Sequence, residues 1–410
     1  MRILWVKANK ILPVHSGGDL RSFNILLQLA SHNEVTFLSY YGGAVDAGYE
    51  RELRDRLPGA ICVGTGGRKE STVGRGLDYL MRLPNRIPYA VSRFASSQVR
   101  EKLQHCLREG QPDVVVCDFL DAAINFPERM TIPTVLFQHN VESEIWRRHA
   151  ETEKNPLKRL VYGMEFKRIL AYEKSALQRF HHVIAVSEHD RTLMSAWADP
   201  SHISVVPTGV DLHRFHPDPA QAPVQPLVMF VGAMDWMPNV DAVDYFCREI
   251  WPAVEKRVPG ARFRIVGRNP LPKVRNLASD SIEVTGVVQS VVEHLRNAAV
   301  VVVPLRVGGG TRLKIYEAMA MGRSVVSTSV GAEGLDVRDG EDIVLADNPV
   351  RFSEEVATLL ENLPLRQRYE RKAAACAARF DWPAVSAKFE EILEAQIARR
   401  GMESVERARA

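Results

Sequence analysis

The chain has 410 residues, 46% apolar and 25% charged, with a formal net charge of +3. That length and balance predict two or three ordinary globular domains, and so small a positive surplus argues against nucleic-acid binding. The five cysteines (Cys62, Cys106, Cys117, Cys247 and Cys376) are scattered, odd in number and without a C-x-x-C pair. They support neither a disulfide framework nor a zinc site, and point to a reducing compartment.

Ile3–Val6 reads as a strand at once, without the charged, apolar and small-residue regions of a signal peptide. No run of roughly twenty apolar residues follows that a membrane-spanning helix would need. A cytoplasmic protein is expected. Further strands are predicted at Val35–Ser39, Ala60–Val63, Val114–Cys117, Thr134–Phe137, Val183–Val186 and Ile203–Val206. Helical patterns lie between them, the first carrying Leu20, Phe23, Leu27 and Ala30 on one face. Several strands are apolar on both faces, as in a parallel sheet covered by helices. The alternation predicts an α/β, doubly wound domain over residues 1–207.

Residues 208–226, TGVDLHRFHPDPAQAPVQP, are proline-rich and aperiodic, and read as an interdomain linker. A second doubly wound series follows over 227–382: Leu227–Val231, Arg262–Val266, Ile282–Val284, Val300–Val303, Ser324–Ser327 and Ile343–Leu345. Helices are predicted at Asn239–Val254 and Leu313–Met321, then at 349–362, 364–378 and 383–399, with a frayed tail after Arg400. In sheets of this kind ligands bind beyond the carboxyl ends of the strands, so a ligand is expected in a cleft between the two domains.

The strongest site signal is the run Val307 to Ala318, VGGGTRLKIYEA, after the strand Val300–Val303. Gly308, Gly309 and Gly310 let the backbone turn tightly and bring its N–H groups close to a ligand. Thr311 reads as the helix N-cap, which puts Arg312 and Lys314 in the first turn. Cations there oppose the helix dipole, and a bound diphosphate would resolve the conflict. Glu317 lies one turn on, in reach of hydroxyls beside that phosphate. The plainer alternative pairs Lys314 with Glu317 at i,i+3 and leaves Arg312 in solvent, but explains neither the glycines nor the first-turn cations.

Weaker signals sit at other strand ends. His15-Ser16-Gly17-Gly18-Asp19 joins the first strand to the first helix. It permits close backbone approach at Gly17 and Gly18, or is an ordinary turn with Asp19 as cap. In Gln138-His139-Asn140-Val141-Glu142, Asn140 reads as an N-cap with Glu142 and Glu144 structural. His139 is left at the cleft edge, either to bond a sugar hydroxyl or move a proton, or as a structural histidine, the commoner role of a lone one. Gly232, Gly267 and Arg268 end strands of the second series. Gly232 and Gly267 suit close packing or close approach to a nucleotide, and Arg268 either contacts phosphate or faces solvent. A basic stretch from Arg68 to Arg93, interleaved with Leu80, Leu83, Ile87, Tyr89 and Phe94, suits an anionic membrane or a lipid-linked acceptor, and equally a solvated surface.

Taken together the segments are familiar. GGGTRLKIYEAMAMGRSVVSTSVGAEGL resembles the donor-site motif of the family 4 glycosyltransferases, which have the GT-B fold. GGDLRSFNILLQLA, VIAVSEHDR, VVPTGVDLHRF, FVGAMDWMPNVDA and ARFDWPAVSAKF agree in order and spacing, so the resemblance spans nearly the whole chain. It is closest to a subgroup associated with bacterial exopolysaccharide synthesis. The resemblance implies two Rossmann-like domains, with a C-terminal helix that crosses back to the first. It implies transfer from a nucleoside diphosphate sugar to a glycan or lipid-linked acceptor, with retention of configuration and no metal or other cofactor. Glu317 matches the glutamate that binds the ribose, His139 the histidine that contacts the transferred sugar, and Gly18 the glycine loop facing the donor phosphates.

The sequence departs from the commonest family pattern twice. A second glutamate, eight residues before the first, is replaced by Gly309. No cation follows Val231, where the stretch is GAMDWMP, so Arg312 and Lys314 are expected to act as the phosphate clamp. A nucleotide-sugar 2-epimerase of the same fold and a non-catalytic nucleotide-sugar-binding protein are the competing readings.

Overall fold

The structure, a computed structural model, describes residues 1–14, 16–66, 78–79, 87–153, 155–218, 225–307 and 312–409. It has two compact units, Met1–Pro207 joined by Val385–Ala410, and Thr208–Ala384.

The first unit is built on a parallel sheet of seven strands: β1 (Arg2–Ala8), β2 (Glu34–Tyr41), β3 (Ala60–Gly64), β4 (Val114–Asp118), β5 (Thr134–Phe137), β6 (His182–Ala185) and β7 (Ile203–Val205). Their order is β3-β2-β1-β4-β5-β6-β7. Trp5 in β1 stands opposite Phe37 in β2 and Val116 in β4. The order reverses between β1 and β4, so the carboxyl ends of those strands flank a switch point, the ligand position of doubly wound sheets. Trp5, Val116, Leu136 and Ile184 are fully enclosed, as the two-sided apolar runs require.

The second unit has six parallel strands: β8 (Leu227–Val231), β9 (Arg262–Val266), β10 (Ile282–Gly286), β11 (Val300–Val303), β12 (Ser324–Ser327) and β13 (Val344–Leu345). The order β10-β9-β8-β11-β12-β13 places its switch point between β8 and β11.

Three expectations need correction. Residues 208–218 are not an open linker. Val210 N donates to Phe380 O at 2.8 Å, and Val210 and Phe215 belong to the core of the second unit. The single helix expected over Asn239–Val254 is three pieces, Met237–Tyr245, a π-helical turn at Phe246–Ile250, and Trp251–Arg257. Pro252 supplies no N–H and its ring crowds the carbonyl four residues back, and the wider turn relieves both. The last helix starts at Trp382 and runs on to Arg409 rather than fraying at Arg400.

From Val385 that helix belongs to the first unit. Phe389, fully buried, stacks on Trp5 at 5.3 Å and meets Phe137 edge-on at 5.0 Å. Phe389→Ala should destabilise the first unit by about 3–5 kcal/mol, the range for losing a buried aromatic ring. Urea denaturation followed by tryptophan fluorescence reads the loss.

Candidate functional site

In the second unit the helix Leu313–Ala320 begins beyond β11, at the switch point. Gly308, Gly309, Gly310 and Thr311 lie outside the described residues. The N-cap position is held by Arg312, with no side-chain cap bond, rather than by Thr311. Arg312 is 5% exposed, so it is not the solvent-facing residue of the plainer reading, and its guanidinium lies 5.9 Å from the Trp236 ring centroid.

Lys314 makes no ion pair with Glu317. Its Nζ donates to Asn239 Oδ1 at 2.9 Å and sits 4.3 Å from the Phe230 ring centroid. Among the described residues no carboxylate lies within ion-pair distance of it. Burial, and then the neighbouring Arg312, lower its pKa to about 7. Burial also raises the Glu317 carboxyl, against the pull of Arg214 and Lys314.

Gly232 is part of this construction. A Cβ on it would meet Asn239 Nδ2 at 2.5 Å and Lys314 Nζ at 2.9 Å. It therefore makes room for the amine and its partner, the close-packing alternative of the two that the sequence offers. A Cβ on Gly267 would strike the carbonyl of Gly232. Arg268 is exposed at the end of β9, and its backbone carbonyl accepts from Met234 N at 2.8 Å.

In the first unit the carboxyl ends of β1, β4 and β5 carry a buried polar network. Asp118 accepts from Trp5 Nε1 at 2.9 Å, lies 2.7 Å from His139 Nε2, and is 3.7 Å from Lys7 Nζ. Arg21 Nη1 is 2.8 Å from His139 Nδ1, and Lys7 also reaches Asp19 at 3.3 Å. Arginine can only donate, so Nδ1 of His139 accepts and its Nε2–H donates to Asp118. Burial opposes ionisation of Asp118, but Lys7 and His139 outweigh it and hold the pKa at about 2. Burial lowers His139 to about 3 despite Asp118, and lowers Arg21 to about 10 against Asp190 and Asp118.

His139 is thus a neutral, enclosed link, 3% exposed, rather than an open side chain at an edge. A bond from it to a sugar hydroxyl would have to displace Asp118 or Arg21. Phe119 stacks on its ring at 3.8 Å, and a Cβ on Gly18 would collide with Phe119. Phe119 itself holds a φ of 70°, a region costly for a side chain with a Cβ and found mostly where a site demands it.

The caps also differ from the sequence reading. Gly17 and Gly18 open the helix Gly17–Ala30, with Ser16 as its cap and Asp19 N donating to Ser16 Oγ. The helix Glu142–Thr152 has Val141, not Asn140, at its cap position. Its first amides are taken by Glu173 of the helix Pro156–Arg179, which accepts from Glu142 N at 2.8 Å and Ser143 N at 3.1 Å. Lys7, Arg21 and Glu173 escaped the sequence reading, because each looks like one polar residue in an apolar stretch and its partner is remote in sequence. Glu142 was read as structural. Burial, and then Asp121, raise its pKa to about 8, and burial raises Asp121 to about 6. Two half-buried carboxyls that titrate near neutrality therefore follow β4 and β5. Of the basic stretch, 67–77 and 80–86 lie outside the described residues.

The matches to known proteins agree with this architecture. Residues 225–362 match the family model for glycosyl transferases group 1, and residues 52–214 match that for Glycosyltransferase Family 4. An uncharacterised 44.6 kDa protein in the cps region of Klebsiella pneumoniae is 25% identical over 240 residues, 55% of this chain and 59% of that one. D-inositol 3-phosphate glycosyltransferase of Segniliparus rotundus is 30% identical over 214 residues, 46% of each chain. The chain spans about half the length of the curated relatives it matches. HepE of Anabaena, solved in complex with UDP-glucose, aligns with a TM-score of 0.66 at 14% identity, covering 96% of this chain and 100% of that one. The fold is that of the GT-B glycosyltransferases.

His139 makes an acid-sensitive contribution to the first unit. An unfolded histidine takes up its proton near pH 6.5, whereas His139 resists protonation down to about 3. Its contribution to stability therefore falls as pH drops through that window, by about 1.4 kcal/mol per pH unit for one proton, while the raised Glu142 and Asp121 carboxyls act in the opposite sense. The Asp118 contribution, complete above its unfolded pKa near 3.8, is lost as pH falls through about 2. Urea midpoints of the native chain and of His139→Gln, measured from pH 7 to 4, isolate the histidine, and the stability difference between the two should shrink as pH falls.

Proposed function

We propose that the chain is a glycosyltransferase. It would take a sugar from a nucleoside diphosphate sugar and pass it to a hydroxyl of a glycan or lipid-linked acceptor, with retention of anomeric configuration. The observation that carries this reading is the start of the helix Leu313–Ala320, where Arg312 is buried beside Lys314 and the hydrogen-bond partner of Lys314 among the described residues is the neutral Asn239. Two cations at a helix N-terminus repel each other and the helix dipole, and a diphosphate answers both. The family models of both halves support the transferase chemistry, and the UDP-glucose bound by HepE makes a uridine nucleotide the first donor to try.

The mechanism is electrostatic. As the bond between the anomeric carbon and the leaving phosphate oxygen breaks, negative charge gathers on the diphosphate, and Lys314 and Arg312 stabilise it more than they stabilise the bound donor. The acceptor hydroxyl attacks from the face the phosphate leaves and gives its proton to the departing oxygen, so no protein nucleophile is needed. In this reading the chain's own cations carry the charge without a metal. The amides of Gly308, Gly309, Gly310 and Thr311 are assigned to the phosphates and Glu317 to the ribose hydroxyls. The first unit takes the acceptor, with His139 holding Arg21 and Asp118 in place. The cps-region relative supports a place in cell-surface polysaccharide synthesis, and in this reading the chain works at the cytoplasmic face of the membrane. Among the described residues no helix is long and apolar enough to cross that membrane.

Thermal-shift measurements with uridine, guanosine and adenosine diphosphate sugars should show a rise with one of them. Turnover of that donor with glycan and lipid-linked acceptors should give an anomer of unchanged configuration by NMR. Lys314→Ala should cut turnover by roughly a hundredfold, the effect of removing one charge-stabilising group. A folded Lys314→Ala chain with undiminished turnover would overturn the reading. Binding should also take up protons. With a pKa of about 7 in the free chain, Lys314 is partly neutral at pH 8, and a bound diphosphate raises its pKa. Donor affinity should therefore weaken as pH rises above about 7, with proton uptake seen by calorimetry in buffers of different ionisation enthalpy.

A further inference from the structure

All six tryptophans lie among the described residues, and five of them are buried or half-buried. Trp5 and Trp251 show the usual arrangement, an enclosed ring whose Nε1–H donates, to Asp118 at 2.9 Å and to Ser281 Oγ at 3.1 Å. Trp236 follows neither habit. It is 45% exposed, and its Nε1–H has no hydrogen-bond partner among the described residues. It stands in the segment after β8, beside the switch point of the second sheet. Met237 next to it is exposed as well, and so is Val307 beyond β11. The carboxyl ends of β8 and β11 thus leave apolar surface in solvent beside a buried cation, since the Arg312 guanidinium is 5.9 Å from the Trp236 ring centroid. Apolar walls with a few convergent polar groups are the make-up of a small-molecule site.

The backbone that carries this indole is fixed on both sides. Met234 is fully buried and its N donates to Arg268 O at 2.8 Å, and Asn269 Nδ2 donates to Asp235 at 2.8 Å. Trp236 O accepts from Asn239 N at 3.0 Å and Val240 N at 3.1 Å. Asn239 also ties the segment to the amine of Lys314. Its Nδ2 donates to Ala233 O at 3.0 Å, while its Oδ1 accepts from Lys314 Nζ at 2.9 Å. One side chain therefore sets the spacing between the segment of Trp236 and the cation. A large, stiff side chain on an ordered backbone offers contact area at little cost in entropy, which is how tryptophan serves in binding surfaces.

We propose that Trp236 is the platform on which the sugar of the donor stacks, an assignment that rests on the reading of this unit as a site for a nucleoside diphosphate sugar. The order of groups in such a molecule is nucleoside, diphosphate, sugar, and the residues follow the same order. Glu317, assigned to the ribose, comes five residues after Arg312, about 7.5 Å along the helix at 1.5 Å per residue. Trp236 lies beside Arg312, at the end of the cation pair away from Glu317. A pyranose has carbon-bound hydrogens on its face, which lie flat on an indole, and hydroxyls on its rim, one of which accepts from the Nε1–H. The transferred unit is therefore a pyranose with an unbroken C–H face. The stack holds its anomeric carbon in line with the leaving phosphate oxygen, so Trp236 selects the sugar and positions it.

The test titrates the full native chain, Trp236→Ala and Trp236→Phe by calorimetry with three ligand pairs: UDP and UDP-glucose, GDP and GDP-mannose, ADP and ADP-glucose. For the pair that binds the native chain, Trp236→Ala should weaken the nucleotide sugar roughly tenfold, the loss of one aromatic stack, and the bare diphosphate by less than about twofold. Trp236→Phe keeps an aromatic face without the N–H and should recover most of the loss. Circular dichroism checks that both variants are folded. Fluorescence supplies a readout that a merely structural role would not move. The emission difference between the native chain and Trp236→Phe should shift to the blue with the nucleotide sugar and stay in place with the diphosphate. Equal weakening of both ligands, as a stack on the nucleobase would give, overturns the proposal, and so does a loss of neither. A native chain that binds a diphosphate but none of the sugars also overturns it. In each of these cases diphosphate binding leaves the donor-site reading standing, whereas failure of all six ligands on the native chain removes that reading and the platform with it.

Discussion

A half-buried primary amine with no carboxylate within ion-pair distance among the described residues is the constraint around which the second unit is arranged. Lys314 can occupy its position against Asn239 Oδ1 and the Phe230 ring because Gly232 has no side chain to displace it. Gly232 in turn keeps its backbone path because Gly267 has none. The amine is thus placed by two successive glycine-permitted approaches at the ends of β8 and β9, and by the helix that starts beyond β11. Desolvating a cation beside another cation is unfavourable unless something compensates. The natural compensation is a ligand of opposite charge, which makes the cost of the empty arrangement a measure of what the ligand regains.

The first unit solves the opposite problem. Lys7, Arg21 and Asp118 are enclosed and Asp19 is half-buried, with their charges matched, and a neutral His139 joins them. Matched burial of this kind holds geometry well and leaves little attraction for an extra anion. The contrast between the two switch points therefore divides the labour. One attracts charge, and the other fixes the backbone around Gly18 and the strained Phe119.

Much of the architecture was legible in the sequence because parallel strands buried on both faces read as short apolar runs, as in β4, β5, β6 and β11. The cations at the start of the helix Leu313–Ala320 were legible as well, since their position needs only local order. What was hidden depends on distant partners. Lys7 meets Asp118, Arg21 meets His139, and Glu173 caps a helix that starts at Glu142. Sequence spacing carries no trace of these pairs. Asn140 was a sound local candidate for a cap, and it lost to a carboxylate delivered by another helix. The proline-rich stretch after Pro207 misled because composition reports the absence of periodicity, and Val210 and Phe215 show that an aperiodic segment can still be packed.

The last helix has a consequence for how the protein is made. Its Phe389 closes the aromatic group of Trp5 and Phe137, yet it is encoded after the entire second unit. A nascent chain that has emerged through Pro207 carries a complete seven-stranded sheet with that apolar surface still bare. The first unit is therefore the first to begin folding and the last to finish, and it waits in an association-prone form while its neighbour is being synthesised.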